Sequence, residues 1–506
     1  MAITALAVIL PLMASMIALG VRQYDALRDL VALGTHATCS VFAVVLLFYV
    51  EANGAVVVRL GGWAPELGIV LVADTFAVLV LAVAMVTILL VEIFAIGQRG
   101  TSSGADPKVV GPMLLVLTAG VALSILSGDL FTLFVAFELM LVASYVLLTH
   151  QGRAGQVRSG MTYVVINLFA STLFLFGVAF VYASTGTVNL ALLAERIPEL
   201  GNGVRWGIGL WFLVVFGTKA AMFPLFSWLP DSYPTAPTTI TAVFAGLLTK
   251  IGMYAMVRFH TLTGMDDLGG VILVIAGLTM IVGVAGALAQ DDMKRILSFH
   301  IVSQIGYMMM GLGLFTVAGV AGAVIFIVHQ IPVKTVLFLV GAMVEADRGT
   351  SALGRVGGML TRRPWLALMF ALPALSLAGL PPFSGFVAKL ALIDAGIDAT
   401  SVAIVVVALV VSALTLLSMV KIWIGVFWGN DPADDPGSAV GTVAAGVESV
   451  PRSGWATMSA AAMATMTITL VIALFAGPLW TMSERAAAEL LDGETYIHSV
   501  LDGGER

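Results

Sequence analysis

The chain has 506 residues, of which 60% are hydrophobic and only 11% charged, with a mean hydropathy of +1.05 and a net charge of −6. So little polar surface excludes a water-soluble globular fold and points to a polytopic helical membrane protein. The single cysteine, Cys39, excludes an internal disulfide framework and a thiolate metal site within one chain.

Apolar segments long enough to span a bilayer recur in chain order at 2–21, 30–50, 68–97, 109–128, 129–149, 160–183 and 205–228. They continue at 237–262, 269–289, 294–315, 317–345, 363–396, 401–429 and 457–480. The expectation is an all-α fold of about 14 transmembrane helices. The first segment lacks a charged n-region and a clear cleavage site, so it reads as a retained helix. Segments 68–97, 317–345 and 363–396 exceed one span, which predicts tilt or breaks. The insert 430–455, rich in Gly, Pro, Asp and Ser, reads as an inner loop, and the tail after Trp480 as a short amphipathic helix. An N-terminus facing outward puts the larger share of Arg and Lys into inner loops, which places both termini outside.

Five of the seven lysines fall inside these apolar segments: Lys219, Lys250, Lys334, Lys389 and Lys421. A lysine at the bilayer centre costs roughly 2.5–3.5 kcal/mol, so five would cost on the order of 12–18 kcal/mol in lipid. Such residues persist where they face the bundle interior, a partner charge or a water path. The pattern predicts charge movement, of protons first.

Glu138 lies mid-segment with no charged neighbour nearby on its own helix. It is either protonated in an interhelical hydrogen bond or paired with a cation from another helix, Lys219 being the preferred partner. Pro224 frees the carbonyl of Ala220 beside Lys219, and such breaks are tolerated where backbone lines a cavity. Lys250 follows in mid-segment, and then His329 and Lys334 with Pro332 between them. Histidine suits a proton relay, although a lone buried histidine also serves structure. Pro381 and Pro382 interrupt a second helix ahead of Lys389. Lys421 lies near a helix end and has two open readings, a pathway residue or a snorkelling one. Asp74 and Glu92 flank an apolar segment, where a helix-end role is favoured over a cation cage.

Spacing suggests two inverted five-helix repeats, 109–262 and 269–429. Glu138, Lys219 and Lys250 fall in the first, His300, Lys389 and Lys421 in the second, with the break in the fourth member of each. An N-terminal three-helix segment (1–108), the inner loop (430–456) and a last helix with tail (457–506) complete the division. No phosphate loop, CxxC pair, HExxH or dinucleotide fingerprint is present, so no cofactor, metal or nucleic acid is implied.

The strings KAAMFPLFSWLPDSYPTAPTTITAVFAGLLTKIGMYA (219–255), DDMKRILSFHIVSQIGYMMMGLG (291–313) and GLPPFSGFVAK (379–389) resemble the antiporter-like subunits shared by complex I and Mrp-type sodium/proton antiporters. The resemblance covers roughly 70–430 and is strongest to the D-type Mrp subunits. It implies fourteen helices, with helices 7 and 12 broken. It further implies a coupled Glu138–Lys219 ion pair, a relay through Lys250, His329 and Lys334, and an outer terminal site at Lys389. Partner subunits of the A, B, C, E, F and G types are implied, with protons and Na⁺ as the transported ions. The alternative is a redox-driven proton-pumping subunit of a complex I-type NADH–quinone oxidoreductase. Lys389 argues against its M-type subunit, where the family carries a glutamate, but not against the N-type.

Overall fold

The computed structural model describes residues 3–99, 106–429 and 451–502. Among them eleven helices are long and apolar enough to cross a membrane, and Thr4–Gly20 and Pro364–Ala378 are shorter apolar helices. Each of the fourteen apolar segments contains helix. Most of the expected inner loop, 430–450, lies outside the described residues, and the chain re-enters helix at Arg452–Leu474.

Burial sorts the helices into centre and rim. In Thr238–Leu262 and Val317–Arg348 every residue of the most apolar 18-residue stretch is buried, whereas in Asp25–Asn53 and Val402–Trp428 only 39% is. A helix apolar all round is a central one. The rim helices turn Leu30, Phe48, Phe169 and Phe176 outward, as lipid contact requires. The two central helices carry Lys250, His329 and Lys334.

The surplus length of the three long segments has three different causes. Segment 68–97 is not one tilted helix. Val70–Ala73 is a strand paired antiparallel with Val56–Arg59, in register Val56↔Ala73 and Arg59↔Val70. Asp74 then caps the helix Thr75–Gly97 by accepting from the Ala77 amide. Segment 317–345 is one continuous helix that contains Pro332. Segment 363–396 is two half-helices, Pro364–Ala378 and Ser384–Asp398.

Both broken helices end alike. The Asn202–Ala220 helix closes with a left-handed residue, Ala221 (φ 64°), and the Met222 amide bonds back to Gly217 O at 2.9 Å. Pro364–Ala378 closes on Gly379 (φ 86°), with the Leu380 amide on Leu375 O at 3.1 Å. A proline follows each closure, so the six-to-one bond satisfies carbonyls that no downstream amide can reach. Gly385, just beyond the second break, has no room for a side chain: a Cβ there would collide with Ser376 O.

Beyond the last long helix, Ala476–Asp492 and Glu494–Leu501 fold back onto the bundle. Arg59 Nη2 donates to Val500 O at 2.7 Å and to Leu501 O at 2.8 Å, and Thr75 Oγ1 donates to Glu489 at 3.1 Å. The amphipathic tail helix expected after Trp480 thus begins at Ala476.

Candidate functional site

Lys219 occupies the last turn of Asn202–Ala220, a position that the negative end of the helix dipole favours for a cation. It is 4% exposed. Its Nζ donates to Ser171 Oγ at 2.9 Å and to Asn167 O at 3.3 Å, both on the Ala154–Thr185 helix, and lies 5.8 Å from the Phe137 ring centroid. The directly contacting Glu138–Lys219 pair is not formed: no N–O contact within 4.0 Å joins them, and Glu138 Oε1 is buried without a hydrogen-bond partner. The ammonium has taken a hydroxyl and a carbonyl from the next helix instead. Glu138 nevertheless remains the carboxylate whose charge acts on Lys219.

Lys250 follows a stretch of π-helix, Phe244–Leu248, and its Nζ donates to Ala245 O at 2.5 Å and Thr249 Oγ1 at 3.4 Å. A π-turn shifts the backbone register by one residue and is common at functional sites. Lys334 is wholly buried, and its Nζ has no hydrogen-bond partner. The charges that act on it are those of Lys250 and Lys389. Lys334 therefore connects Lys250 and Lys389 electrostatically.

His329 and His300 join this row. His329 Nδ1 is 2.9 Å from Ser384 Oγ, on the half-helix beyond the Pro381–Pro382 break, and the same hydroxyl is 3.2 Å from Ser376 Oγ on the half-helix before it. His300 Nε2 is 2.5 Å from Ser418 Oγ. Lys334 and Lys389 act on both imidazoles. Around them His300 Nδ1, Ser303 Oγ, Gln304 Nε2, His329 Nε2 and Gln330 Oε1 are buried without a protein partner. Lys389 Nζ donates to Ala378 O at 3.2 Å and Ser412 Oγ at 3.0 Å, and lies 4.7 Å from the Tyr307 ring centroid.

Lys421 stands apart. It donates to Leu288 O at 3.0 Å and Gln290 O at 2.7 Å and pairs with Asp291 at 2.8 Å. Its side chain is 33% exposed. Those contacts cap the end of the Gly269–Leu288 helix, as a snorkelling lysine does.

Other polar groups escaped the sequence reading. Arg258 is buried and forks onto Asp74 at 2.5 and 2.7 Å, with Tyr254 Oη at 2.7 Å and the Tyr496 ring 5.4 Å away. Lys294 is buried against Glu345 at 3.0 Å, and Glu345 also accepts from Thr238. The serines that hold Lys219, His329, His300 and Lys389 were equally silent, because serine is common on helix faces and carries no charge signal.

Fold and site together define a polytopic membrane protein whose core is threaded by buried, mutually interacting cations. The family model described as NADH:quinone oxidoreductase/Mrp antiporter, TM, matches residues 127–415. A protein of Alkalihalophilus pseudofirmus, named as the D-type subunit of a Na(+)/H(+) antiporter, is 44% identical over 458 residues, covering 89% of this chain and 90% of its own. One of the same name from Bacillus subtilis is 34% identical over 503 residues, covering 98% of both. A chain in the solved Mrp complex from Dietzia sp. superposes with a TM-score of 0.90 at 35% identity, covering 99% of both. The chain belongs to the family of membrane subunits shared by NADH:quinone oxidoreductases and Mrp antiporters.

Proposed function

We propose that this chain is the proton-translocating subunit of a multisubunit Na⁺/H⁺ antiporter in a bacterial cell membrane. Its partners are the other Mrp-type subunits, and its fourteen crossings include two inverted five-helix repeats, with both termini outside. Protons move along Glu138–Lys219, Lys250, His329 with Lys334, and Lys389.

One observation carries this reading. Lys250, Lys334 and Lys389 are at most 3% exposed, the charges of Lys250 and Lys389 both reach Lys334, and none of the three has an ion-pair partner among the described residues. Three unpaired cations buried together repel, so a proton arriving at one favours release from the next. The buried polar atoms without protein partners around His300 and His329 need mobile partners, and water there supplies the hops between fixed groups.

Lys219 couples the row to Glu138. A lysine whose carboxylate withdraws in a low-dielectric site gives up its proton more easily, so movement of Glu138 gates transfer toward Lys250. A charge crossing 100 mV gains about 2.3 kcal/mol, which is enough for the membrane potential to bias such a gate. The same lysines repel Na⁺, so sodium passes elsewhere in the complex.

The test is Na⁺-induced collapse of a pH gradient in inverted vesicles holding the full complex, with wild type beside Lys219→Ala at matched assembly. Loss of the response in the mutant is expected. Full activity in that mutant would remove the proton path from this chain. A wild-type complex driven by NADH and quinone instead of Na⁺ would favour the redox pump.

A further inference from the structure

Glu92 lies in the last two turns of Thr75–Gly97, at the end away from Asp74. It is 3% exposed, and its Oε2 has no hydrogen-bond partner. It borders a narrow crevice whose other polar walls are Gln98, Arg99 and Thr239, with Gly111 from the next helix closing one side. A Cβ at Gly111 would stand 3.5 Å from Glu92 Oε1, so the glycine leaves space beside the carboxylate. The charged groups acting on Glu92 are Arg99, Asp29 and Arg28, and both arginines are already committed elsewhere: Arg99 pairs with Asp29, and Arg28 with Asp25 and Asp29. Glu92 is thus a buried carboxylate with cations nearby and none bonded to it.

The crevice reaches the first turn of the span that carries Lys250. Thr239 Oγ1 donates to Gln98 Oε1, and Thr239 opens the Thr238–Leu262 span that carries Lys250. A helix-end role leaves these facts unexplained, because a carboxylate is unfavourable near a helix C-terminus. We infer that Glu92 is a proton-binding site at the mouth of this crevice, taking protons from the side of Arg99 and releasing them, through water beside Thr239, toward the helix of Lys250. Each cycle protonates and deprotonates the carboxylate with no other bond made or broken.

The inference rests on the proton-axis reading, and Lys250→Ala measured in parallel separates the two. Glu92→Gln keeps the shape and removes the proton site; Glu92→Asp keeps a proton site at shorter reach. Na⁺-driven proton exchange is measured per assembled complex, together with the pH-dependent infrared band of protonated carboxyl groups. Glu92→Gln is expected to lose most of the exchange and the band, and Glu92→Asp to keep part of the exchange with a shifted band. Exchange in Glu92→Gln equal to or above that in Glu92→Asp, while Lys250→Ala is inactive, overturns the site and leaves the axis standing. Retained exchange in Lys250→Ala overturns the axis. If Glu92→Gln does not assemble, the band of wild type against Glu92→Asp decides, and an unshifted spectrum overturns the site.

Discussion

Lys389 Nζ stands 3.2 Å from the carbonyl oxygen of Ala378, so the cation of the second half-helix closes the end of the first. The break at Pro381 and Pro382 exposes the partial negative charge of a helix C-terminus, and the lysine is seated on it. Lys219 uses the same physics differently, since it lies in the last turn of its own half-helix and reaches sideways to Ser171 and Asn167. Neither lysine has a carboxylate bonded to it. Backbone ends and hydroxyls hold these cations without locking them in the charged state.

Gly379→Ala tests that seat. The residue has φ 86°, and a Cβ would stand 2.7 Å from Lys389 Cδ, so the variant both strains the backbone and displaces the lysine. A left-handed alanine costs about 1–2 kcal/mol. Exchange is expected to fall sharply in complexes that still assemble, as read by collapse of the vesicle pH gradient. Unchanged exchange would show that the position of Lys389 is not critical.

Lys421→Ala gives the contrasting outcome. The lysine caps a helix end and pairs with Asp291 at a partly exposed position, contacts worth roughly 0.3–1 kcal/mol. Exchange per assembled complex should match wild type, with only a small fall in thermal stability. A transport defect at matched assembly would return Lys421 to the pathway.

The Asp74–Arg258 pair is structural. Asp74→Asn keeps the side-chain oxygen that caps Thr75–Gly97 and removes the charge facing a buried guanidinium. Breaking a buried pair costs about 3–5 kcal/mol, so the melting temperature of the complex should drop and its yield fall. The double variant Asp74→Asn/Arg258→Met should recover part of the loss, because no unpaired charge is left behind. A double variant as unstable as the sum of its parts would rule out coupling between the two residues.

The tail carries a pH dependence of its own. Asp502, 2.8 Å from His498 Nδ1, raises the imidazole pKa above 6.5 through a hydrogen bond and its charge. A raised pKa gives stability that is complete below 6.5 and is lost as pH climbs through the folded-state value. Hydrogen exchange in Glu494–Leu501 should therefore accelerate with pH in that window beyond its intrinsic rise, and His498→Gln should abolish the extra acceleration. The effect is small, because both groups are exposed.

Much of the architecture was legible from local chemistry. Lys219, Lys250, Lys334 and Lys389 stood out because an ammonium in an apolar stretch has few tolerable places, and all four are buried in the bundle. Pro224 and Pro381 marked the breaks, where a missing amide follows a left-handed closure, and the helices end four and three residues earlier, whereas Pro332 sits in a helix that stays continuous. The strand Val70–Ala73 was not legible, since a short apolar strand joined to an apolar helix has no period of its own.

Partner choice belongs to the tertiary structure. Asp74 and Arg258 are 184 positions apart, Lys389 and Ser412 are 23 apart, and nothing in either local sequence names the other. Lys219 turned to Ser171 where charge alone favoured Glu138, because a hydroxyl and a carbonyl on the adjacent helix lay within bonding distance. Local chemistry determined that this chain forms membrane helices, where two of them break, and that Lys219, Lys250, Lys334 and Lys389 must be hidden, because those follow from the solvent and from single-residue chemistry. Which groups surround each cation, that Arg258 and Lys294 are buried too, and that Lys250 and Lys389 act on Lys334, only the packing of the helices decided, because electrostatic coupling depends on distance through space.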